Sequence, residues 1–275
     1  MSASRSSATR RRALAGSARH ALSRLRQRIV PRFAPPQASR AASASVAGSV
    51  RDERGRLLDL GFHGDAYLIQ LMDRILPNVH AFIETGTNQG STARHVARRF
   101  ADTPVHSCEA DSQAAAQAAR HVEGLANARI YAQPSPDFLY DLARAEPTLF
   151  TELNCYFLDA HGHGYIWPLA DELRFISQRE AGVILVDDCL VPGRPRFKHS
   201  AYAGQVCCLD YIGAALSPRH AYDLVLPDYD ERTSPHHGLV GYAAIAFGTT
   251  TLRQAVDGDA RFGLTRLQTP AADAA

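Results

Sequence analysis

From about residue 65 to residue 247, stretches with a helical apolar period alternate with short, continuously apolar stretches. Alternation of this kind predicts a parallel β-sheet with helices on both faces, because each parallel connection has to cross the sheet through a helix. The runs YFLD and VILVDD are apolar until their last residues, which is typical of strands buried on both faces. The sequence therefore predicts an α/β fold: a doubly wound, mostly parallel sheet of seven strands that ends in an antiparallel strand.

The predicted strands are residues 79–84, 105–108, 128–132, 155–158, 183–186, 222–226 and 242–247. The predicted helices are residues 65–76, 91–100, 112–122, 137–145, 169–178 and 204–216. The last two strands follow one another without a helical pattern between them, so we expect them to pair antiparallel.

The charge of the chain is divided between a basic N-terminal segment and an acidic body. Residues 1–50 hold ten arginines and no acid, and the other 225 residues carry a net charge of −8. We expect residues 1–45 to be a disordered basic tail, residues 46–268 to form one domain, and residues 269–275 to be disordered. The tail is open to three interpretations: an export signal, a contact for anionic lipid or nucleic acid, or a solvated tail. The acidic body argues against a long nucleic acid as the partner of the domain.

The cysteine count and the length of the apolar runs indicate the cellular compartment. Five cysteines in 275 residues are too sparse for a disulfide scaffold, and none form a CxxC pair. No run approaches 18 apolar residues, so no membrane-spanning helix is predicted. We expect a cytoplasmic protein.

The end of the first predicted strand carries Gly86 and Gly90, which bracket a turn into the next helix. Without side chains, they allow the backbone to approach a ligand closely, and the helix behind them offers free amide donors. Their spacing is GxxxG, which differs from the GxGxxG of dinucleotide-binding folds. The alternative is that both glycines serve only the turn.

The next two strand ends also carry polar groups. Glu109 lies 23 residues beyond Gly86, close to the spacing of about 20 at which an acid meets ribose hydroxyls in nucleotide-binding sheets. Its alternative role, shared with Asp111, is to cap the following helix. Ser135 lies in a polar loop that could flank an adenine ring, or it could cap the helix that follows.

Three acids follow the fourth and fifth predicted strands. Asp159 ends one, and Asp187 and Asp188 end the other. Like charges in neighbouring strand ends raise one pKa or recruit a cation, and a set of oxygen ligands favours magnesium or calcium. His161, two residues beyond Asp159, is a candidate general base because its pKa lies near neutrality. The alternatives are loop-capping acids and a surface histidine.

The runs FIETGTNQGST, CEAD, QPSPDFL, YFLDAH and VILVDDCLVPG together resemble class I S-adenosylmethionine-dependent methyltransferases, over residues 66–248. The resemblance implies that Glu109 binds the ribose and that Ser135 contacts the adenine. It also implies that the remaining cofactor contacts come from Glu84, Gly86, Thr87, Asn88, Gly90, Ser91 and Asp159.

Asp159, Asp187 and Asp188 are similar to the metal triad of the macrocin and catechol types of magnesium-dependent O-methyltransferase. His161 stands where sugar-modifying relatives tend to carry a second acid. The resemblance implies S-adenosylmethionine and Mg²⁺ as cofactors, methylation of a small hydroxylated acceptor (a sugar or a phenol), Asp159 and His161 as catalytic residues, and a homodimer. Two rival hypotheses are a nicotinamide-dependent oxidoreductase, which the GxxxG spacing disfavours, and a non-catalytic methyltransferase-like module held to lipid or nucleic acid by its basic tail.

Overall fold

The structure is a computed structural model that describes residues 61–161, 167–202, 204–230 and 239–269. The expectations for the tail over residues 1–45 and for residues 270–275 fall outside these ranges. None of the helices in the described ranges is long and apolar enough to cross a membrane.

Seven α-helices and ten strands lie in the described residues. The helices are α1 (Ala66–Ile75), α2 (Ser91–Arg99), α3 (Ser112–His121), α4 (Ser135–Ala145), α5 (Leu169–Ile176), α6 (Leu209–Ala215) and α7 (Thr251–Val256). The strands are β1 (Phe82–Thr85), β2 (Val105–Glu109), β3 (Ala128–Ala132), β4 (Cys155–Leu158), β5 (Gly182–Val186), β6 (Ala201–Tyr202), β7 (Gln205–Val206), β8 (Tyr222–Pro227), β9 (Ala243–Phe247) and β10 (Phe262–Leu267). Short 3-10 turns cover Phe62–Gly64, Leu76–Asn78 and Pro147–Thr151.

Eight of the described strands form one sheet in the order β10-β8-β9-β5-β4-β1-β2-β3. Strands β1 to β5 run parallel, whereas β9 is antiparallel to both β5 and β8, and β10 is antiparallel to β8. The predicted fold class and the antiparallel pairing of the last two predicted strands, β8 and β9, are confirmed.

Three details of the prediction are wrong. The sheet has eight strands rather than seven, because β10 was not predicted, and helix α7 before it was missed as well. Strand β10 lies at the edge of the sheet with exposed polar residues in its middle, so it lacks the apolar run that marks the other strands. Residues 205–206 belong to the small hairpin of β6 and β7, and helix α6 starts only at Leu209.

The buried residues on each side of the sheet explain why these elements form. Strands β4 and β5 are buried along their whole length, as their continuous apolar runs require. Helix α1 buries Leu68, Leu71, Met72 and Ile75, which recur at helical spacing. Asp65 caps this helix by accepting from the backbone N–H groups of Tyr67 and Leu68.

The strand order places a topological switch point between β1 and β4. From β1 the chain proceeds outward to β2 and β3, whereas from β4 it proceeds to β5 on the other side. In open α/β sheets, ligands bind at the carboxyl ends of the strands at such a point. The candidate site residues following β1, β2, β4 and β5 therefore border one crevice.

Candidate active site

The turn after β1 runs from Gly86 to Gly90 and is here called the glycine loop. Both glycines have left-handed backbones, with φ of +80° and +81°. A Cβ atom on Gly86 would lie only 2.5 Å from the backbone oxygen of Asp159 at the end of β4. The N–H groups of Gly86 and Thr87 both donate to the carbonyl of Cys108 in β2, at 3.0 and 2.9 Å. The loop is thus fixed between the two strands that flank β1, and position 86 has no room for a side chain.

Glu84 lies beneath the glycine loop and is 2% exposed. Its Oε2 atom accepts hydrogen bonds from Thr87 Oγ1, at 2.8 Å, and from Ser107 Oγ. Burial raises the pKa of Glu84 to about 7, although both hydroxyl groups oppose the shift. Glu84 therefore braces the loop from below, and its predicted cofactor contact stays a prediction.

Glu109 ends β2 and links the glycine loop to the start of α3. Its Oε2 atom accepts from the backbone N–H of Asn88 at 2.8 Å, and its Oε1 atom accepts from that of Asp111 at 2.9 Å. Asp111 itself caps α3 by accepting from the N–H groups of Gln113 and Ala114. The capping role belongs to Asp111, so Glu109 stays at the crevice with lone pairs available for hydroxyl groups.

The other two predicted cofactor residues begin helices. Ser91 is exposed and follows Gly90 at the start of α2. Ser135 is buried at the start of α4, where Pro134 holds the N-cap position and no side-chain capping bond forms. Ser135 therefore does not cap its helix, and its predicted contact with adenine stays untested.

The three predicted acids converge, and two imidazoles lie between them. We name His63, Asp159, His161, Asp187 and Asp188 the acid–histidine cluster. His161 Nε2 lies 3.2 Å from Asp159 Oδ1 and 2.9 Å from Asp188 Oδ2. His63 Nε2 lies 2.8 Å from Asp187 Oδ2 and 3.8 Å from Asp159 Oδ2. Each imidazole thus bridges two carboxylates, and Asp159 takes part in both bridges.

His63 was not predicted as a site residue, and no local motif marks it. It lies in the Phe62–Gly64 turn, where both Phe62 and His63 have left-handed backbones, with φ of 53° and 54°. The Phe62 ring is buried against Phe82 and Phe157, which anchors the turn on the sheet. His63 reaches Asp187 across 124 residues of sequence, so only the folded chain shows the contact.

The described non-glycine residues with positive φ lie around this crevice. They are Phe62, His63, Asn88 and Asp188. Each left-handed non-glycine residue costs about 1–2 kcal/mol, and such strain persists where the surrounding structure enforces it, often at functional sites. The position of these strained residues therefore supports the crevice as the candidate functional site.

The cluster balances its own charge. Asp187 is the main reason that the pKa of His63 is raised to about 10, and hydrogen bonds to Asp159 and Asp188 raise that of His161 to about 11. Burial acts to raise the pKa of Asp188, but hydrogen bonds from His161 and Ser200 outweigh it, so the net pKa is lowered. Burial and Asp187 together raise the pKa of Asp159. Both imidazoles therefore carry protons at neutral pH unless another cation neutralises the acids.

An aromatic surface lies beside His161. Its Nδ1 atom lies 3.1 Å from the Tyr202 hydroxyl group. The Tyr202 and Trp167 rings lie 6.1 Å apart, and Trp167 stacks on Tyr211 at 5.2 Å with an interplanar angle of 11°. All three rings are half-buried, so a partly exposed aromatic surface lies next to the cluster.

No protein-family model and no curated protein matches the chain. Among solved structures, the chain is similar to the O-methyltransferase TomG of Streptomyces achromogenes, involved in tomaymycin synthesis and solved in complex with SAM. That match has 18% identity, covers 66% of this chain and 78% of TomG, and has a TM-score of 0.47.

Two further neighbours have comparable values. Cofactor-bound Rv0187 from MTB is 17% identical, with 66% and 78% coverage and a TM-score of 0.45. An O-methyltransferase from Bacillus cereus in complex with SAH is 17% identical, with 66% and 79% coverage and a TM-score of 0.46.

Proposed function

We propose that the protein is an S-adenosylmethionine-dependent methyltransferase that methylates a hydroxyl group of a small acceptor, assisted by a divalent cation. One observation carries this proposal: Asp159 joins the two halves of the crevice. Its backbone oxygen abuts Gly86 of the glycine loop, while its side chain belongs to the acid–histidine cluster. A cofactor on the loop and an acceptor at the cluster would therefore be neighbours.

The cofactor half supports a nucleoside rather than a dinucleotide. Glu109 offers a carboxylate for two vicinal ribose hydroxyls, and Asn88 holds that carboxylate against the glycine loop. The backbone of the glycine loop, bent by its left-handed glycines at the end of β1, would contact the methionine portion of the cofactor. The GxxxG spacing lacks the third glycine with which dinucleotide folds pack strand and helix closely around a pyrophosphate.

The reaction would be an in-line displacement at the sulfonium methyl group. A bond forms between the acceptor oxygen and the methyl carbon, the carbon–sulfur bond breaks with its electron pair passing to sulfur, and the acceptor proton goes to a base. S-adenosylhomocysteine and the methyl ether are the products. Since the sulfonium carbon is already electrophilic, the contribution of the protein is to position the two reactants and to deprotonate one.

Asp159, Asp187 and Asp188 are the carboxylates that would hold a divalent cation, because Asp159 groups with Asp187 and His63 on one side and with Asp188 and His161 on the other. A cation held there would lower the pKa of an acceptor hydroxyl group. With the acid charges neutralised, His161 Nε2 is available to accept the proton. Tyr202 holds the other ring nitrogen and so fixes the orientation of the imidazole.

The aromatic surface beside the cluster supports a small acceptor that carries a ring. The half-buried faces of Trp167 and Tyr202 suit the flat surface of a phenol or the apolar face of a sugar. A hydroxyl group of such a ring would point toward His161 and Asp159.

Calorimetry with S-adenosylhomocysteine on the full chain tests the proposal. We expect saturable 1:1 binding, and no heat with NADH under the same conditions. Absence of S-adenosylhomocysteine binding at millimolar concentration, or preferential binding of NADH, would refute the proposed function.

A further inference from the structure

The acid–histidine cluster consists of two overlapping triads. His63, Asp159 and Asp187 form one, and Asp159, His161 and Asp188 form the other. In each triad the candidate ligand atoms all lie within 4.8 Å of one another. Each triad contains two carboxylates and one imidazole nitrogen, so neither offers oxygen ligands alone.

The spacing of these atoms suits ligands that surround one ion. Adjacent donors of an octahedral ion with bonds of about 2.1 Å are about 3.0 Å apart, and opposite donors about 4.2 Å. In the cluster, the imidazole nitrogens lie 2.8, 2.9, 3.2 and 3.8 Å from the carboxylate oxygens. Nitrogen and oxygen donors thus converge at distances that a shared ion would require.

The chemistry of the donors selects the class of ion. Magnesium prefers oxygen ligands and retains water, whereas imidazole suits iron, nickel, copper and zinc. His63 groups with Asp159 and Asp187, whereas His161 belongs to the other triad, so an ion in the first triad meets the imidazole of His63 and leaves His161 as the base. This arrangement disagrees with a purely magnesium-type site.

We propose that His63 is a metal ligand, and that the cluster binds a divalent first-row transition ion with imidazole coordination in preference to Mg²⁺. The inference deepens the proposed function, since it names the class of ion used at that site. It depends on the cluster alone, however, and can be tested without the cofactor.

The position of His63 is built into the fold. Phe62 is locked in the core by its ring contacts, and its backbone N–H donates to Thr92 Oγ1 at 3.1 Å. Gly64 follows, with a left-handed φ of 76°. These contacts hold the turn in a strained conformation that directs the imidazole to Asp187, so His63 does not reach the acids as a freely moving surface side chain.

The test uses the full chain, stripped of metal with a chelator and reloaded with Co²⁺ or with Mg²⁺. Equilibrium dialysis gives the affinity for each ion, and X-ray absorption at the cobalt edge reports imidazole ligands through their outer-shell scattering. We expect imidazole scattering in the wild-type complex and a reduced signal in His63→Gln. The substitution should weaken Co²⁺ binding by at least about tenfold, the lower end of what outer-shell changes cause, and leave Mg²⁺ binding unchanged.

His80→Gln is the matched control, since His80 is exposed just before β1, at the opposite end of the strand. It should match the wild type in affinity and in spectrum. A wild-type cobalt spectrum without imidazole scattering would overturn the inference, and so would equal Co²⁺ affinities for His63→Gln and the wild type. The wild-type spectrum requires no variant, so the test does not depend on the folding of His63→Gln.

S-adenosylhomocysteine calorimetry on the same samples separates the two proposals. Cobalt bound through imidazole without S-adenosylhomocysteine binding would refute the proposed function and leave this inference standing. Binding of S-adenosylhomocysteine without imidazole scattering from cobalt would support the proposed function and refute the assignment of His63 as a metal ligand.

Discussion

The two halves of the crevice are built on different physical terms. In the glycine-loop half, the acids are satisfied by uncharged neighbours: Glu84 by hydroxyl groups and Glu109 by backbone N–H groups. In the acid–histidine half, three carboxylates are held together by two imidazoles. The acids of the glycine-loop half thus have hydrogen-bond partners without a ligand. In the acid–histidine half, the carboxylates are held together by protonated imidazoles, whose positive charge a bound cation could replace.

This difference suits the glycine-loop half to binding a ligand and the acid–histidine half to changing the protonation of a bound group. Local turn geometry fixes the glycine loop, so under the proposed function it would receive a ligand of defined shape. The cluster gathers opposing charges whose balance a bound ion would change, so under the same proposal it would alter the pKa of groups near it. Substitutions in the two halves should therefore separate binding from turnover.

The largest effect on cofactor binding is expected for Gly86→Ala. The left-handed backbone costs a non-glycine residue about 1–2 kcal/mol, and overlap in a packed site adds about 1–3 kcal/mol. Because the glycine loop has to move to relieve both terms, we expect S-adenosylhomocysteine binding to weaken by at least about 30-fold, measured by calorimetry.

Gly124→Ala is the matched control for Gly86→Ala. Gly124 has a φ of +83°, but no atom lies within 4 Å of the position that a Cβ would occupy, so it carries the backbone cost without the overlap. Its S-adenosylhomocysteine affinity should equal that of the wild type. Equal losses in the two variants would show that the close approach of the loop to Asp159 is irrelevant to binding.

The next effect is on turnover alone. Asp188→Asn removes a charge that pairs with His161 and lies opposite the cofactor half. We expect the methyl-transfer rate to fall about 10²–10⁴-fold, as for loss of acid–base assistance, with S-adenosylhomocysteine affinity unchanged. A parallel loss of cofactor binding would contradict the separation between the halves.

Glu109→Gln should give the opposite pattern. Loss of charge-assisted hydrogen bonds to ribose hydroxyls costs about 1.5–3 kcal/mol, so S-adenosylhomocysteine should bind about 10–100-fold more weakly. Metal affinity at the cluster, measured by dialysis, should stay the same. If Glu109→Gln leaves cofactor affinity intact, Glu109 serves only to hold Asn88 and Asp111.

The last effect concerns stability rather than binding or turnover, and another buried acid, Glu172. Burial raises the pKa of Glu172 in α5 to about 7 from its ordinary value of 4.5, against the hydroxyl groups of Ser135 and Thr85. Below pH 4.5 the carboxyl group is protonated in both states, and between pH 4.5 and 7 only the unfolded chain ionises. Glu172 therefore lowers the free energy of unfolding as pH rises through this window, by on the order of 2–3 kcal/mol in total.

Glu172→Gln should remove this share of the pH dependence and stabilise the protein at pH 8 relative to the wild type. Urea denaturation at pH 4.5 and pH 8 measures the change, and the difference between the two proteins cancels contributions common to both. Asp141→Asn in α4 is the control, because Asp141 is exposed and pairs with exposed Arg144 three residues further on. Identical pH profiles for Glu172→Gln and the wild type would contradict the assignment.

The sequence predicted the part of the fold that rests on local patterns. Strand Cys155–Leu158 matches its predicted range, because a buried parallel strand is a continuous apolar run. Strand Ala128–Ala132 also matches its predicted range, although it lies half-exposed at the edge of the sheet. Strand β10 was missed since an edge strand with a polar middle resembles a loop. The convergence of the three acids followed from the rule that parallel strand ends share one edge.

His63 could not be predicted in this way. It precedes the first helix, lies in no strand end, and meets Asp187 only through a turn that Phe62 anchors in the core. The sequence also could not predict which of Glu109 and Asp111 caps α3. Either acid could cap the helix, and only the folded backbone shows that Asp111 caps it while Glu109 accepts from the backbone N–H of Asp111. Long-range placement, rather than residue type, limits what the sequence can predict about such a site.

The distance in sequence between His63 and Asp187 also bears on how the molecule is assembled. During synthesis the histidine leaves the ribosome 124 residues before the aspartate that it meets. Contacts between segments so far apart in sequence form only after a large loop has closed, and proteins dominated by them fold slowly. A nascent chain that ends before β5 therefore contains the glycine loop but lacks Asp187 and Asp188 of the acid–histidine cluster. The acid–histidine cluster is therefore completed only after β5 has been synthesised and Asp187 has met His63.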